Sequence, residues 1–141
     1  MHNLRSQYFK IQELVPVDMY NKLSEDLLWS MFNHRTISSL DAVKDKFPKG
    51  TMIINSYMWG GDRGWSGIRT KDSKYYSERS MHSKAKAFDA VFNRYDVEDV
   101  RQYILENQGE FPFIGGIELG VSWLHFDSRP RRNGKIITFN A

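Results

Sequence analysis

The sequence predicts an α+β domain built on a mostly antiparallel sheet with helices packed on one side. Three observations carry this. The first third spaces its apolar residues three and four apart, as helices do. From Thr51 the apolar runs become short and rich in β-branched and aromatic residues. One further helical pattern interrupts those runs. With 141 residues, 40% hydrophobic and 14% aromatic, the chain has material for one core. No repeat or Pro- or Gly/Ser-rich linker divides it, so residues 1–141 read as one domain, with a helical scaffold over 1–50 and the sheet and active-site portion over 51–141.

Pro16-Val17-Asp18 opens a predicted helix carrying Met19, Leu23, Leu27, Leu28 and Met31. Ser38 and Ser39 are cap candidates for a second helix, through Leu40, Val43 and Phe47, which ends at Pro48-Lys49-Gly50. Residues 52–57 form a β-type run. The Gly-rich, aromatic stretch after it, from Trp59 to about Ser80, predicts a long ordered loop. A strand over 86–92 follows. Asp96 then caps a helix through Val97, Val100, Ile104 and Leu105 with Gly109 as terminator, and strands over 111–119, 121–127 and 135–139 close the chain as a meander.

Composition narrows the function. Twenty basic and 17 acidic residues leave a net charge of +3, with both signs spread along the chain, which excludes an acidic tail or polybasic arm as the main device. Lys84, Lys86 and the basic residues between Arg129 and Arg132 accompany no nucleic-acid motif, so no nucleic-acid partner is expected. With no cysteine, disulfides, thiolate metal sites and thiol chemistry are excluded. No secretory signal opens the chain and no segment has the roughly 20 apolar residues of a membrane span, so synthesis in the cytoplasm without membrane insertion is expected.

Any metal must therefore be held by carboxylates and by the four histidines, His2, His34, His82 and His125. His82 precedes Asp89 across the predicted loop-to-strand junction. Trp123, His125 and Asp127 alternate onto one face of a later strand. If these elements are neighbours, His82, Asp89 and His125 make a three-ligand set of the kind that catalytic zinc uses, with Asp127 placed to orient a ligand or substrate. Zinc in such a site lowers the pKa of a bound water to roughly 7. The same residues also allow ordinary structural histidines. No His-Glu-x-x-His helix is present.

The run Ser80-Met81-His82, with Ala85, Ala87 and Asp89, resembles the Ser-x-His-x-x-Gly-x-Ala-x-Asp signature of the D-alanyl-D-alanine metallopeptidase group, the hedgehog/DD-peptidase fold, and Trp123-Leu124-His125-Phe126-Asp127 resembles its last ligand strand. Segments 9–15, 54–61 and 67–69 are similar to small phage-encoded members, so the resemblance runs from about residue 8 to 129. It implies Zn2+ on His82, Asp89 and His125, and a substrate-binding Arg69 in Ser66-Gly67-Ile68-Arg69 that also stabilises the reacting carbonyl. Ser80 and Trp59 are further expected substrate contacts. Two departures stand out. Ala85 replaces the usual Gly, tolerable unless that backbone needs a positive φ. Ser122 stands where several members carry a catalytic Glu or His, which leaves Glu118 as the general base provided that a bulge or turn at Gly120 returns it to the metal.

The resemblance implies a zinc metallopeptidase, carboxypeptidase or endopeptidase, that cuts a stem-peptide bond of bacterial peptidoglycan. It would act on the cell wall, as a phage lysin or as part of a phage particle beside other virion proteins. The alternative is a non-catalytic virion structural or binding protein that keeps the fold.

Overall fold

A computed structural model describes residues 4–77 and 79–140. Among them the chain forms an α+β fold of four α-helices and a mixed five-stranded sheet. The first predicted helix is two. α1 (Val17–Lys22) ends where Leu23 turns extended, and the Ser24 hydroxyl accepts from Leu27 N at 3.2 Å to open α2 (Glu25–Ser30). A serine able to cap a new helix competes with continuing the old one. α3 (His34–Lys46) starts upstream of Ser38-Ser39, because Asn33 is its cap, accepting from Thr36 N at 2.9 Å. Ser39 lies inside α3 and donates to the Arg35 carbonyl at 2.8 Å.

The strands are β1 (Met52–Ile53), β2 (Ala87–Phe92), β3 (Gly116–Leu119), β4 (Leu124–Asp127) and β5 (Ile137–Asn140), with α4 (Val97–Glu106) between β2 and β3. Asp96 caps α4 as expected, accepting from Glu98 N at 2.8 Å. α4 closes at Asn107, however, and Gly109 sits in the 3-10 turn Gln108–Glu110 that follows. β1 is short because Asn55 leaves the ladder: its side chain donates to the Val15 carbonyl and accepts from Ser66 N, both at 3.0 Å.

The strand order is β1-β2-β4-β3-β5. β1–β2, β2–β4 and β3–β4 are antiparallel, while β5 runs parallel to β3 on its outer edge. The closing strands are therefore not a meander. The connection from β4 is pinned by Arg131, whose guanidinium donates to the carbonyls of Ile114 (2.7 Å), Phe111 (2.6 Å) and Gln108 (3.0 Å). The chain then turns at Asn133-Gly134, both at positive φ, and enters the sheet beyond β3 with Ile137 N on the Gly115 carbonyl at 2.8 Å.

The two sheet faces differ in chemistry. Phe88, Ala90, Leu124, Phe126 and Ile117 share one buried cluster with Leu28, Phe32, Ile37, Leu40, Val100 and Ile104 from the helical segments. Phe32 stacks on Phe88 at 5.5 Å, which places α2 and α3 against that face. By alternation the opposite face presents Ala87 and Asp89, His125 and Asp127, Gly116 and Glu118. Among the described residues no helix is long and apolar enough to cross a membrane.

Candidate metal centre

The register of the central strands builds the site. Asp89 on β2 pairs with His125 on β4. Gly116 on β3 pairs with Asp127 and Ile117 with Phe126, so Glu118 falls beside His125 on the same face. No bulge is needed to bring Glu118 there; Gly120 at φ +75 serves the turn after it.

The stretch 60–86, which among its described residues holds turns but no helix or strand, delivers His82 to the sheet face. It is tied down by Ile68 N to the Leu14 carbonyl (3.1 Å) and Asp89 N to the Ser66 carbonyl (2.8 Å). Gly67 must be glycine there, since a Cβ would collide with the Leu14 carbonyl. Ser80 opens the turn around His82 by accepting from His82 N at 3.1 Å. Ala85 closes it at φ 57, so this backbone does adopt the positive φ that suits glycine, and alanine bears a cost of roughly 1 kcal/mol to hold it.

His82, Asp89 and His125 are all buried, and one ligand atom from each lies within 4.8 Å of the others, a group able to hold a metal ion. His82 Nε2 is 3.1 Å and His125 Nδ1 is 3.0 Å from the same oxygen, Asp89 Oδ1. The outer nitrogens are engaged. His82 Nδ1 is 2.9 Å from the Gly67 carbonyl, and His125 Nε2 is 2.8 Å from Asp127 Oδ2. A carbonyl can only accept, so His82 Nδ1 carries the proton and Nε2 presents its lone pair. That Nε2 is buried without any hydrogen bond, its approach to Asp89 being close in distance but off-line in angle. Two ring nitrogens and a carboxylate oxygen gathered on one point, each ring turned by an outer partner, are what a metal-binding histidine pair requires. The donor set is one that can hold a metal ion.

Charge is arranged around the same point. Burial raises the pKa of Asp89, but the hydrogen bond from His125 and the two imidazoles beside it outweigh this and hold the carboxyl well below the usual carboxylate range. Burial lowers that of His125, yet Asp127 and Asp89 override it and the imidazole is pushed up to about 9. Asp89 Oδ2 accepts from Arg69 Nη2 at 2.9 Å, and Arg69 Nε donates to the Trp65 carbonyl at 2.7 Å. Arg69 therefore steadies Asp89 while its Nη1 makes no hydrogen bond among the described residues.

A cleft of about 710 Å³ opens over the cluster, lined among others by Arg69, Ser80, His82, Asp89, Glu118 and His125. Two expected substrate contacts do not line it. Trp59 sits in a 3-10 turn away from the cleft, 60% exposed. Asp127 is 1% exposed behind His125, where it orients that ring and cannot reach a substrate. His34 packs on Phe113 at the start of α3, remote from the cluster, and His2 lies outside the described residues.

Arg63, Arg79 and Arg129 also line the cleft; Arg63 belongs to the loop that the sequence reads as ordered, and Arg79 was not singled out from the sequence. Arg129 belongs to what reads as a solvated basic patch, but it grips Asp127 with both prongs. Its spacing from Asp127, two residues along a strand direction, was the available signal. The chain matches no family model, no curated protein and no solved structure.

Proposed function

We propose that this chain is a zinc-dependent peptidase that hydrolyses a peptide bond of bacterial peptidoglycan on a mostly antiparallel, hedgehog/DD-peptidase-like fold. The observation that carries the reading is the convergence of His82 Nε2 and His125 Nδ1 on Asp89 Oδ1 at the floor of an open cleft. Two imidazoles and one carboxylate, without thiolates, suit a catalytic rather than a structural zinc. Zinc, when bound, supplies Lewis acidity to a carbonyl and acidifies water towards neutral pH.

The chain's own groups divide the remaining work. Gly67 and Asp127 hold the outer nitrogens of His82 and His125 as donors, so that the inner ones can ligate once His125 Nδ1 gives up its proton. Glu118, beside His125 at the cleft wall, takes a proton from the attacking water and returns it to the leaving amine. Arg69 offers Nη1 to the peptide carbonyl or a nearby carboxylate. Arg79, exposed at the cleft wall, adds a cation that suits the carboxylate-bearing stem peptides of the wall. The phage setting rests on the sequence resemblance.

One observation favours a second reading, a non-catalytic virion or binding protein: Ser122, where the resembled enzymes carry an acid or a histidine, is exposed in the turn before β4. Metal content separates the possibilities. Wild type is expected to hold close to one zinc per chain by mass spectrometry, and His125→Ala and Asp89→Ala to hold none. Loaded wild type is then expected to release new amino groups from purified peptidoglycan. Glu118→Gln should keep its zinc and fold while turnover drops by about 100-fold or more. Zinc without any peptidoglycan cleavage would favour the binding protein, and no zinc would end the peptidase reading.

A further inference from the structure

Behind His125 lies a second layer, of which the peptidase reading uses only the Asp127 carboxylate. Arg129 Nε donates to Asp127 Oδ1 and Nη2 to Oδ2, both at 2.7 Å, and Arg129 N reaches Oδ1 at 3.2 Å. Oδ2 then faces His125 Nε2 at 2.8 Å. The pair fits because Asp127 is flanked across the sheet by the two smallest residue types, Ala87 on β2 and Gly116 on β3. A Cβ on Gly116 would collide with the Asp127 carboxylate and with Arg129 Nε. Phe139 on β5 completes the layer: the Arg129 guanidinium lies 4.5 Å from its ring centre and His125 lies 5.5 Å from it, edge to face.

We infer that Arg129 is a positioning residue for the metal centre, fixing the Asp127 carboxylate so that His125 can point only Nδ1 at the metal. A two-pronged guanidinium stops the carboxylate from rotating, and a carboxylate that cannot rotate holds one face of the imidazole. A lysine keeps the charge but has no fork, so it cannot substitute. The inference rests on the metal-binding part of the peptidase reading and is independent of the bond cleaved.

The test uses the full chain. Zinc dissociation constants are measured by chelator competition for wild type, Arg129→Lys, Arg129→Gln and Gly116→Ala, beside cobalt(II) absorption spectra of the same proteins. Each variant is expected to bind zinc about 10 to 100-fold more weakly, with the Lys variant no better than Gln. The cobalt bands should shift, which loss of global stability alone would not cause. Wild-type affinity and spectrum in folded Arg129→Lys and Arg129→Gln would overturn the inference and leave the zinc site standing. If both Arg129 variants fail to fold, unaltered binding and spectrum in Gly116→Ala would overturn it equally. Failure of wild type to bind zinc would instead be failure of the peptidase reading.

Discussion

His125 has a carboxylate at each ring nitrogen, Asp89 at 3.0 Å and Asp127 at 2.8 Å, and this makes the protein stripped of metal sensitive to pH in a defined direction. The imidazole's folded pKa is raised to about 9, so its stabilising contribution is complete below the unfolded value near 6.5 and is lost as pH rises through about 9. Asp89 and Asp127 are lowered, so theirs is complete above the ordinary carboxylate range and is lost in stronger acid. Melts after chelation should therefore peak between about pH 4 and 6.5 and fall by about 5 °C or more at pH 9.5. A flat profile across that range would remove the charged pair from the account. If zinc binds as proposed, it must displace the proton from His125 Nδ1, so below pH 9 uptake should release protons, measurable in weakly buffered titrations.

At the scale of elements, the contact of the 60–86 stretch with the N-terminal segment is the joint on which His82 depends. Gly67→Ala should destabilise by about 2 kcal/mol or more in urea unfolding, because the added methyl must push away the Leu14 carbonyl that accepts from Ile68 N. Zinc binding should weaken with it, since the Gly67 carbonyl orients His82. A substitution without effect would show that the stretch is anchored elsewhere. Elements with local signals were legible in the sequence: Asp96 announced α4, and the alternation of Trp123, His125 and Asp127 announced the face of β4. Ser24 and Asn33 carried equally local cap signals that the apolar spacing concealed. What no local pattern encodes is pairing. The parallel addition of β5, and with it Phe139 at the site, depends on Arg131 reaching three carbonyls far back in the chain. Glu118 was named as base for a turn that proved unnecessary, since strand register alone brings it to His125.

Across the whole molecule, buried Arg101 fastens the helical layer to the site. Its Nη2 donates to the carbonyls of Val121 (2.9 Å) and Trp123 (2.6 Å), and it pairs with Glu98. Arg101→Met should cost about 2 kcal/mol or more by taking the donor from those two carbonyls, read from chemical denaturation. Chelation should in turn lower the melting temperature of wild type, since a ligand held a thousand-fold above its dissociation constant adds about 4 kcal/mol. Limited proteolysis should then cut first between residues 70 and 81, and protection without metal equal to that with it would argue against this coupling. Two of the three candidate ligands sit on adjacent paired strands and the third on a stretch joined to the rest of the fold by a few backbone hydrogen bonds. If a metal binds as proposed, the paired strands offer two ligands already in place, and the ordering entropy of capture falls mainly on the arm that carries His82. The ion should arrive on Asp89 and His125 and leave by the reverse order, with His82 releasing first, so that the exchange rate is governed by the stiffness of one loop.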